Sequence, residues 1–268
     1  MRTETICEGV TVILGDCREV LPTLGKVDHV ICDPPYEKHM HSAKRGKLKR
    51  TDGQRSPEVL GFASVEEIRP EVAKLCGEVA QGWLLLFCTS EGVALWRDAI
   101  EVAGARYKRS CVWIKPDSTP QLNGQGPGMG DESIAVAWCG DDSEFERIIA
   151  SWCGPGHSRW NGGGRRGVFT HLVNPASRQG DHPTEKPVSL MTELVTLFTN
   201  PGELICDPFC GSGSTGIACV RSRRRFVGIE INPTWFELSC RRISAALKQD
   251  DMFVPTVAAP KPKQMALI

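Results

Sequence analysis

Asp28-His29-Val30-Ile31-Cys32-Asp33-Pro34-Pro35-Tyr36 is an apolar run that stops at two prolines. Residues 27–32 have the length and composition of a buried strand. Two consecutive prolines cannot extend a ladder, because each fixes φ and lacks an N–H. The residue before each proline is also pushed out of the helical region. The chain therefore leaves the strand through a stiff, extended turn. That turn brings together a carboxylate, a free carbonyl and an aromatic ring. In open α/β sheets the carboxyl ends of strands are where ligands bind.

Working outward, residues 10–14 form a β-branched run ending at Gly15-Asp16, and residues 17–24 read as a short helix closed by Gly25. A strand–helix–strand unit this compact implies a parallel sheet, so Asp16 and Asp33 open on the same cleft. The rhythm continues with a helix at 65–80 despite Pro70, a strand at 83–88, a helix at 91–103 stopped by Gly104, and a strand at 107–114. Alternation of this kind predicts a doubly wound α/β domain. It breaks over 117–181, where only 133–139 reads as a strand. It resumes with a helix at 188–199 with Pro187 near its first turn, a strand at 203–206, a helix ending near 220, a strand at 225–229 and a helix at 233–247. Residues 250–268 lack periodicity and read as a disordered tail.

Size and composition bound the function. The chain of 268 residues has zero net charge, so affinity for a polyanion has to come from local patches. No apolar run approaches the ~20 residues of a membrane span. The first residues, Met1-Arg2-Thr3-Glu4-Thr5, do not have the pattern of a signal peptide. The twelve cysteines lie scattered in apolar segments without a Cys-x-x-Cys pair, as in a reduced, cytoplasmic protein. Cys139, Cys153 and His157 match no standard metal-site spacing, and no metal is expected.

Asp33, Pro34, Pro35 and Tyr36 suit a planar base with an exocyclic amine. The lone pair of such an amine is delocalised into the ring, which makes it a poor nucleophile. The Asp33 carboxylate and the Pro34 carbonyl can each accept one N–H, drawing the nitrogen toward tetrahedral geometry, while the Tyr36 ring stacks on the base. Farther on, Gly211-Ser212-Gly213-Ser214-Thr215-Gly216 satisfies G-x-G-x-x-G between a strand and a helix, and a later strand ends at Glu230. Glu230 is placed to accept ribose hydroxyls. A dinucleotide and S-adenosylmethionine both fit such a loop. Asp207 favours the second, because a carboxylate at the strand end opposes a pyrophosphate and suits a cationic ligand.

Gly15-Asp16-Cys17, Asp33-Pro34-Pro35-Tyr36, His182-Pro183-Thr184-Glu185-Lys186-Pro187, Asp207 through Thr215 and Gly228-Ile229-Glu230 follow one another in an order that resembles the β-class S-adenosylmethionine-dependent DNA amino-methyltransferases. In that class the catalytic motif precedes the cofactor loop. The resemblance implies a Rossmann-like methyltransferase fold: a mostly parallel twisted sheet with helices on both faces and permuted motif order. It implies that Asp207, Phe209, Gly211 and Gly213 wrap the methionine moiety, with Cys210, Ser212, Ser214 and Thr215 completing the loop. Thr184 and Lys186 then hold the methionine carboxylate, Glu230 the ribose, and Asp16 with Cys17 the adenine ring; Asp33 borders both sites. Ser214 stands where the family commonly has threonine.

Residues 1–116 are thus the catalytic half of the domain, 117–181 a target-recognition insertion, and 182–249 the cofactor half. The loop 37–64 is basic, and Lys44, Arg45, Lys47, Lys49 and Arg50 are expected on DNA phosphates. Arg159, Arg165 and Arg166, interleaved with Trp152, Trp160 and Phe169, suggest phosphate contact plus stacking. The expected activity is transfer to adenine N6 of a flipped base in double-stranded DNA, as in restriction–modification systems, with a homodimer as the assembly considered. Asp33 in the first motif position favours adenine over cytosine N4. A nicotinamide-dependent oxidoreductase, an inactive DNA-binding module, and an RNA or protein amine as substrate are the competing readings.

Overall fold

The computed structural model describes residues 1–35, 65–118, 130–139, 160–173 and 185–253. Nine strands form one sheet: β1 (Arg2–Cys7), β2 (Val10–Leu14), β3 (His29–Cys32), β4 (Trp83–Cys88), β5 (Arg106–Ile114), β6 (Asp131–Trp138), β7 (Val168–Thr170), β8 (Leu204–Asp207) and β9 (Arg225–Glu230), in the spatial order β1-β2-β9-β8-β3-β4-β6-β5-β7. Strands β2, β9, β8, β3 and β4 run parallel, β1 is antiparallel on one edge, and β6 is antiparallel between β4 and β5. The helices are α1 (Cys17–Val20), α2 (Val65–Val79), α3 (Gly92–Val102), α4 (Val188–Phe198), α5 (Ser214–Arg221) and α6 (Pro233–Phe253).

The two faces of the sheet are buried by different halves of the chain. Val30, Leu84, Leu86, Ala135 and Ile229 pack with Val20, Val72 and Trp96 from α1, α2 and α3. Ile31, Leu85, Phe87, Ile134 and Phe226 pack with Leu194, Ile217 and Ile243 from α4, α5 and α6. Double burial is why Trp83 to Cys88 is apolar at every position instead of alternating. Pro70 is accommodated inside α2.

Three readings of the sequence change. The exposed, polar β1 carries no apolar periodicity and is recognisable only by its pairing with β2. Three-residue β7 is held by parallel pairing of Val112 with Val168 and Ile114 with Thr170. Helix α6 runs on to Phe253, past the expected start of a tail. Residues 117–181 therefore contribute two strands to the main sheet, and its other stretches outside 130–139 and 160–173 lie beyond the described residues except at 117–118.

At the amino edge of the sheet His29 is enclosed. Its Nδ1 accepts the Trp83 N–H at 2.9 Å, which places the ring proton on Nε2, 2.8 Å from Glu203. Gly82 makes room: a Cβ there would lie 2.7 Å from the imidazole. The buried histidine is a clip between β3, β4 and the turn before β8.

Candidate active site

The carboxyl edge of the sheet gathers the polar strand ends. Asp33 follows β3, Asp207 ends the adjacent parallel strand β8, and Glu230 ends β9. Val30 pairs with Cys206, and Leu14 with Glu230, so these ends rise to similar levels. The Asp33-Pro34-Pro35 turn and the glycine loop thus open on one side of the molecule, from neighbouring strands.

On the cofactor side, the chain after β8 turns through Gly211 (φ 51°) and Gly213 (φ 82°), a region that L side chains avoid. The turn is closed by Cys210 N–H to the Ile229 carbonyl and Gly213 N–H to the Cys210 carbonyl, both 2.9 Å. Asp207 points into it. One oxygen accepts the Phe209 N–H at 3.0 Å and the other the Thr215 hydroxyl at 2.5 Å. Burial pushes the Asp207 carboxyl up to about 7, against the pull of those hydrogen bonds. Ser212, Ser214 and Cys210 are buried beside it, and Phe209 is partly exposed.

Glu230 accepts the Gly211 N–H at 2.7 Å and the Asn232 N–H at 2.8 Å, one on each oxygen. Burial raises its pKa as well. Each oxygen keeps a second lone pair, so the carboxylate retains capacity for hydroxyl groups. Asp16 caps α1 through the Arg18 N–H and pairs with the Arg18 guanidinium at 2.6 Å, which holds its carboxyl below the usual range. Cys17 is buried in the core beside it, and burial pushes its thiol up to about 12.

On the other side of Asp33 lies a chain of buried charges. Lys186 Nζ is 2.5 Å from Asp33 Oδ2 and 3.0 Å from Glu132 Oε1. Glu132 Oε2 is 2.6 Å from Lys115 Nζ. These groups come from the end of β3, the segment before α4, the start of antiparallel β6 and the residue after β5. Lys186 lies 5.0 Å from the Phe87 ring centre and Lys115 4.6 Å from that of Trp113. The remaining oxygen of Asp33, Oδ1, is buried and has no hydrogen-bond partner among the described residues. Buried acceptors are ordinarily satisfied, so an orphan beside a ligand loop marks a place for an incoming donor.

Arg242 of α6 joins the two sides. Its guanidinium donates to the Ser212 carbonyl at 2.7 Å and pairs with Glu185, the neighbour of Lys186. Sequence reasoning missed Glu132, Lys115 and Arg242. A charged residue opening the otherwise apolar 133–138 run is the only signal for the first; the other two resemble ordinary surface cations.

The DNA-contact expectations fare differently. Phe169 is fully buried, and Trp160 packs edge-on against Phe198 at 4.7 Å with its N–H on the Gly163 carbonyl. Asn161 caps the far end of α4 from Lys186 by donating to the Thr199 carbonyl at 2.9 Å. Phe169 is core, not a stacking platform, because pairing of β7 with β5 carries it onto the sheet, while Trp160 is half-buried against Phe198. Arg165 is paired with Glu193, whose other oxygen meets His171 at 2.5 Å; Arg166 is exposed. Tyr36, Lys44, Arg45, Lys47, Lys49, Arg50, Arg159 and Thr184 lie outside the described residues, as do Trp152, Cys153 and His157.

The DNA methylase family model of N6 and N4 methyltransferases matches residues 27–241. YubD of Escherichia coli K12 is 42% identical over 264 residues, 92% of this chain and 98% of that protein. The type II methyltransferase M.Cfr9I of Citrobacter freundii is 26% identical over 210 residues, 77% of this chain but 63% of the relative, and the chain spans 59% of M.XycI of Xanthomonas campestris pv. cyanopsidis. Among solved structures, the M1.HpyAVI–SAM complex aligns with a TM-score of 0.61 at 22% identity, covering 87% of this chain and 98% of that one. PvuII DNA methyltransferase (cytosine-N4-specific) aligns with a TM-score of 0.59 at 15% identity, covering 89% and 91%. The fold is thus the Rossmann-like methyltransferase fold, and with the Asp33-Pro34-Pro35 turn preceding the glycine loop on one sheet edge, the chain belongs to the DNA methylase family of N6 and N4 amino-methyltransferases.

Proposed function

We propose that the protein transfers a methyl group from S-adenosylmethionine to adenine N6 of a base swung out of double-stranded DNA. The observation that carries this reading is the buried Asp33 Oδ1, without a partner among the described residues and one strand away from a glycine loop at the same sheet edge. The loop fits the cofactor. The left-handed glycines bring backbone close to a ligand, and three carboxylates at the strand ends favour a cation. Gly211 and Gly213 with Phe209 would hold the methionine part, Glu230 the ribose, and Asp16 with Cys17 the adenine ring. S-adenosylmethionine, when bound, supplies a methyl group on a positively charged sulfur.

The chain's own contribution is to prepare the acceptor. Asp33 Oδ1 accepts one amine N–H and the Pro34 carbonyl the other, which localises the nitrogen lone pair. Lys186 fixes Oδ2, so the carboxylate cannot turn away. Methylation of the amine would release one proton, and Asp33 Oδ1, hydrogen-bonded to it, would take it. Base extrusion costs a few kcal/mol, which stacking on Tyr36 would partly offset. The thiol next to the turn, Cys32, is fully buried with its pKa raised by burial, so a cysteine nucleophile of the kind needed at a ring carbon is not offered there.

The first-position aspartate and the 41% identity over 66 residues to the DNA adenine methyltransferase YhdJ of Escherichia coli K12 support adenine. The likeness to a cytosine-N4-specific enzyme keeps cytosine as the second reading, since both bases present the same amine. Target reading is assigned to parts of 117–181, and phosphate contact to 37–64. Incubation with methyl-labelled S-adenosylmethionine and mixed-sequence DNA, followed by nucleoside mass spectrometry, is expected to yield labelled N6-methyladenine. Labelled N4-methylcytosine would establish the second reading, and unlabelled DNA would overturn both.

A further inference from the structure

We propose that Glu132 is a positioning residue for methyl transfer, which by sharing Lys186 with Asp33 sets both the orientation and the acceptor strength of the catalytic carboxylate. The inference rests on the methyltransferase reading above and adds a residue from the antiparallel strand β6, which none of the motif-bearing segments contains.

The geometry is a line of alternating charges. Lys115, Glu132, Lys186 and Asp33 follow one another at 2.6, 3.0 and 2.5 Å. Glu132 is nearly inaccessible, at 4% exposure, and its position at the head of β6 is fixed by pairing of Trp113 with Glu132 and Phe87 with Ile134. Without a second carboxylate, Lys186 would direct its whole charge at Asp33. A buried, tightly paired carboxylate is a weak acceptor toward anything else, because the cation already polarises it. Glu132 draws Lys186 partly away. It leaves Oδ2 of Asp33 pinned and Oδ1 available to the substrate amine.

The arrangement is sensitive to protons on Glu132. Among the described residues the charged groups seen to face it are Lys186, Lys115 and Asp33; its neighbour Asp131 is taken by the Ser90 hydroxyl at 3.1 Å. Burial pushes the Glu132 carboxyl up to about 7, against the pull of Lys186 and with a further push from Asp33. Below that value Glu132 is protonated and releases Lys186 to Asp33. Above it, Lys186 is shared. The methyl-transfer rate is therefore expected to climb as pH rises through about 7.

Single-turnover methyl transfer and calorimetric cofactor binding on the full-length protein test this. Glu132→Gln is expected to lower the rate at least tenfold at pH 8, keep the cofactor dissociation constant within threefold, and lose the climb near neutrality. Glu132→Asp, which retains the charge, is expected to keep the climb and more of the rate. Lys115→Met removes the cation paired with the other Glu132 oxygen. Removing that cation raises the Glu132 pKa, so the climb is expected to move to higher pH, and this readout stands even if Glu132→Gln fails to fold. The assignment is overturned if Glu132→Gln keeps the normal rate and profile, if its loss lies in cofactor affinity, or if Lys115→Met leaves the climb in place. A wild-type protein that methylates no DNA would overturn this inference together with its parent; an active wild type with an indifferent Glu132→Gln overturns this inference alone.

Discussion

The two sides of the carboxyl edge hold their carboxylates in opposite ways. On the cofactor side, Asp207 and Glu230 are satisfied by backbone N–H groups and a hydroxyl from residues near them in the chain or one strand away. On the base side, Asp33 meets a lysine 153 residues farther along, and that lysine meets a glutamate on yet another strand. The first arrangement is a rigid cradle whose acids serve mainly its own shape. The second is an assembled charge line that leaves one oxygen without a partner among the described residues. A site built locally can be rigid and complete before any ligand arrives. A group proposed to act on a substrate has to keep free hydrogen-bonding capacity, and distant elements must hold it in place.

The largest expected effect falls on the base side. Asp33→Ala should lower single-turnover methyl transfer on the order of 1,000-fold while leaving calorimetric cofactor binding nearly intact. A parallel loss of cofactor affinity would mean that the two sides are not separable. Next is the link between them. Arg242→Met leaves Glu185 buried without its cation, and a loss of about 3–5 kcal/mol in urea unfolding is expected. Cofactor binding should weaken too, since the Ser212 carbonyl loses its donor.

Gly228→Ala tests the cradle from beneath. Its Cβ would sit 2.7 Å from Cys210 Sγ and 2.8 Å from the Phe226 ring, so about 1–3 kcal/mol of stability should be lost to overpacking. The smallest effect concerns Asp207. Its folded pKa of about 7 lies above the ordinary carboxylate value, so the folded state holds a proton that the unfolded chain has released. Stability from this group is complete below about pH 4 and is lost as pH rises toward 7. Asp207→Asn should flatten that part of the melting-temperature profile while changing the acid-side value little.

How much could be read in advance follows the same division. The strands at 10–14, 83–88 and 225–230 and the helices at 92–102 and 188–198 were legible because their apolar content exceeds any competing local preference. The exposed β1 and the three-residue β7 were not, since pairing partners and not their own residues make them strands. Trp160 and Phe169 looked like stacking residues because a Gly-rich, basic neighbourhood resembles a surface loop. Parallel pairing with β5 turned Phe169 inward, and Trp160 rests half-buried against Phe198.

By itself the sequence determined the strand-ending turn at Asp33-Pro34-Pro35, the glycine turn at Gly211 and Gly213, and the order of the two. Those features depend on φ restrictions and on contacts within a few residues, which composition encodes directly. Only the tertiary structure decided that Lys186 bonds Asp33, that Glu132 and Lys115 extend the line, and that Arg242 joins it to the glycine loop. Charged side chains read as solvent-exposed until the folding of distant segments removes them from water, and it is the low dielectric of that shared interior which couples them.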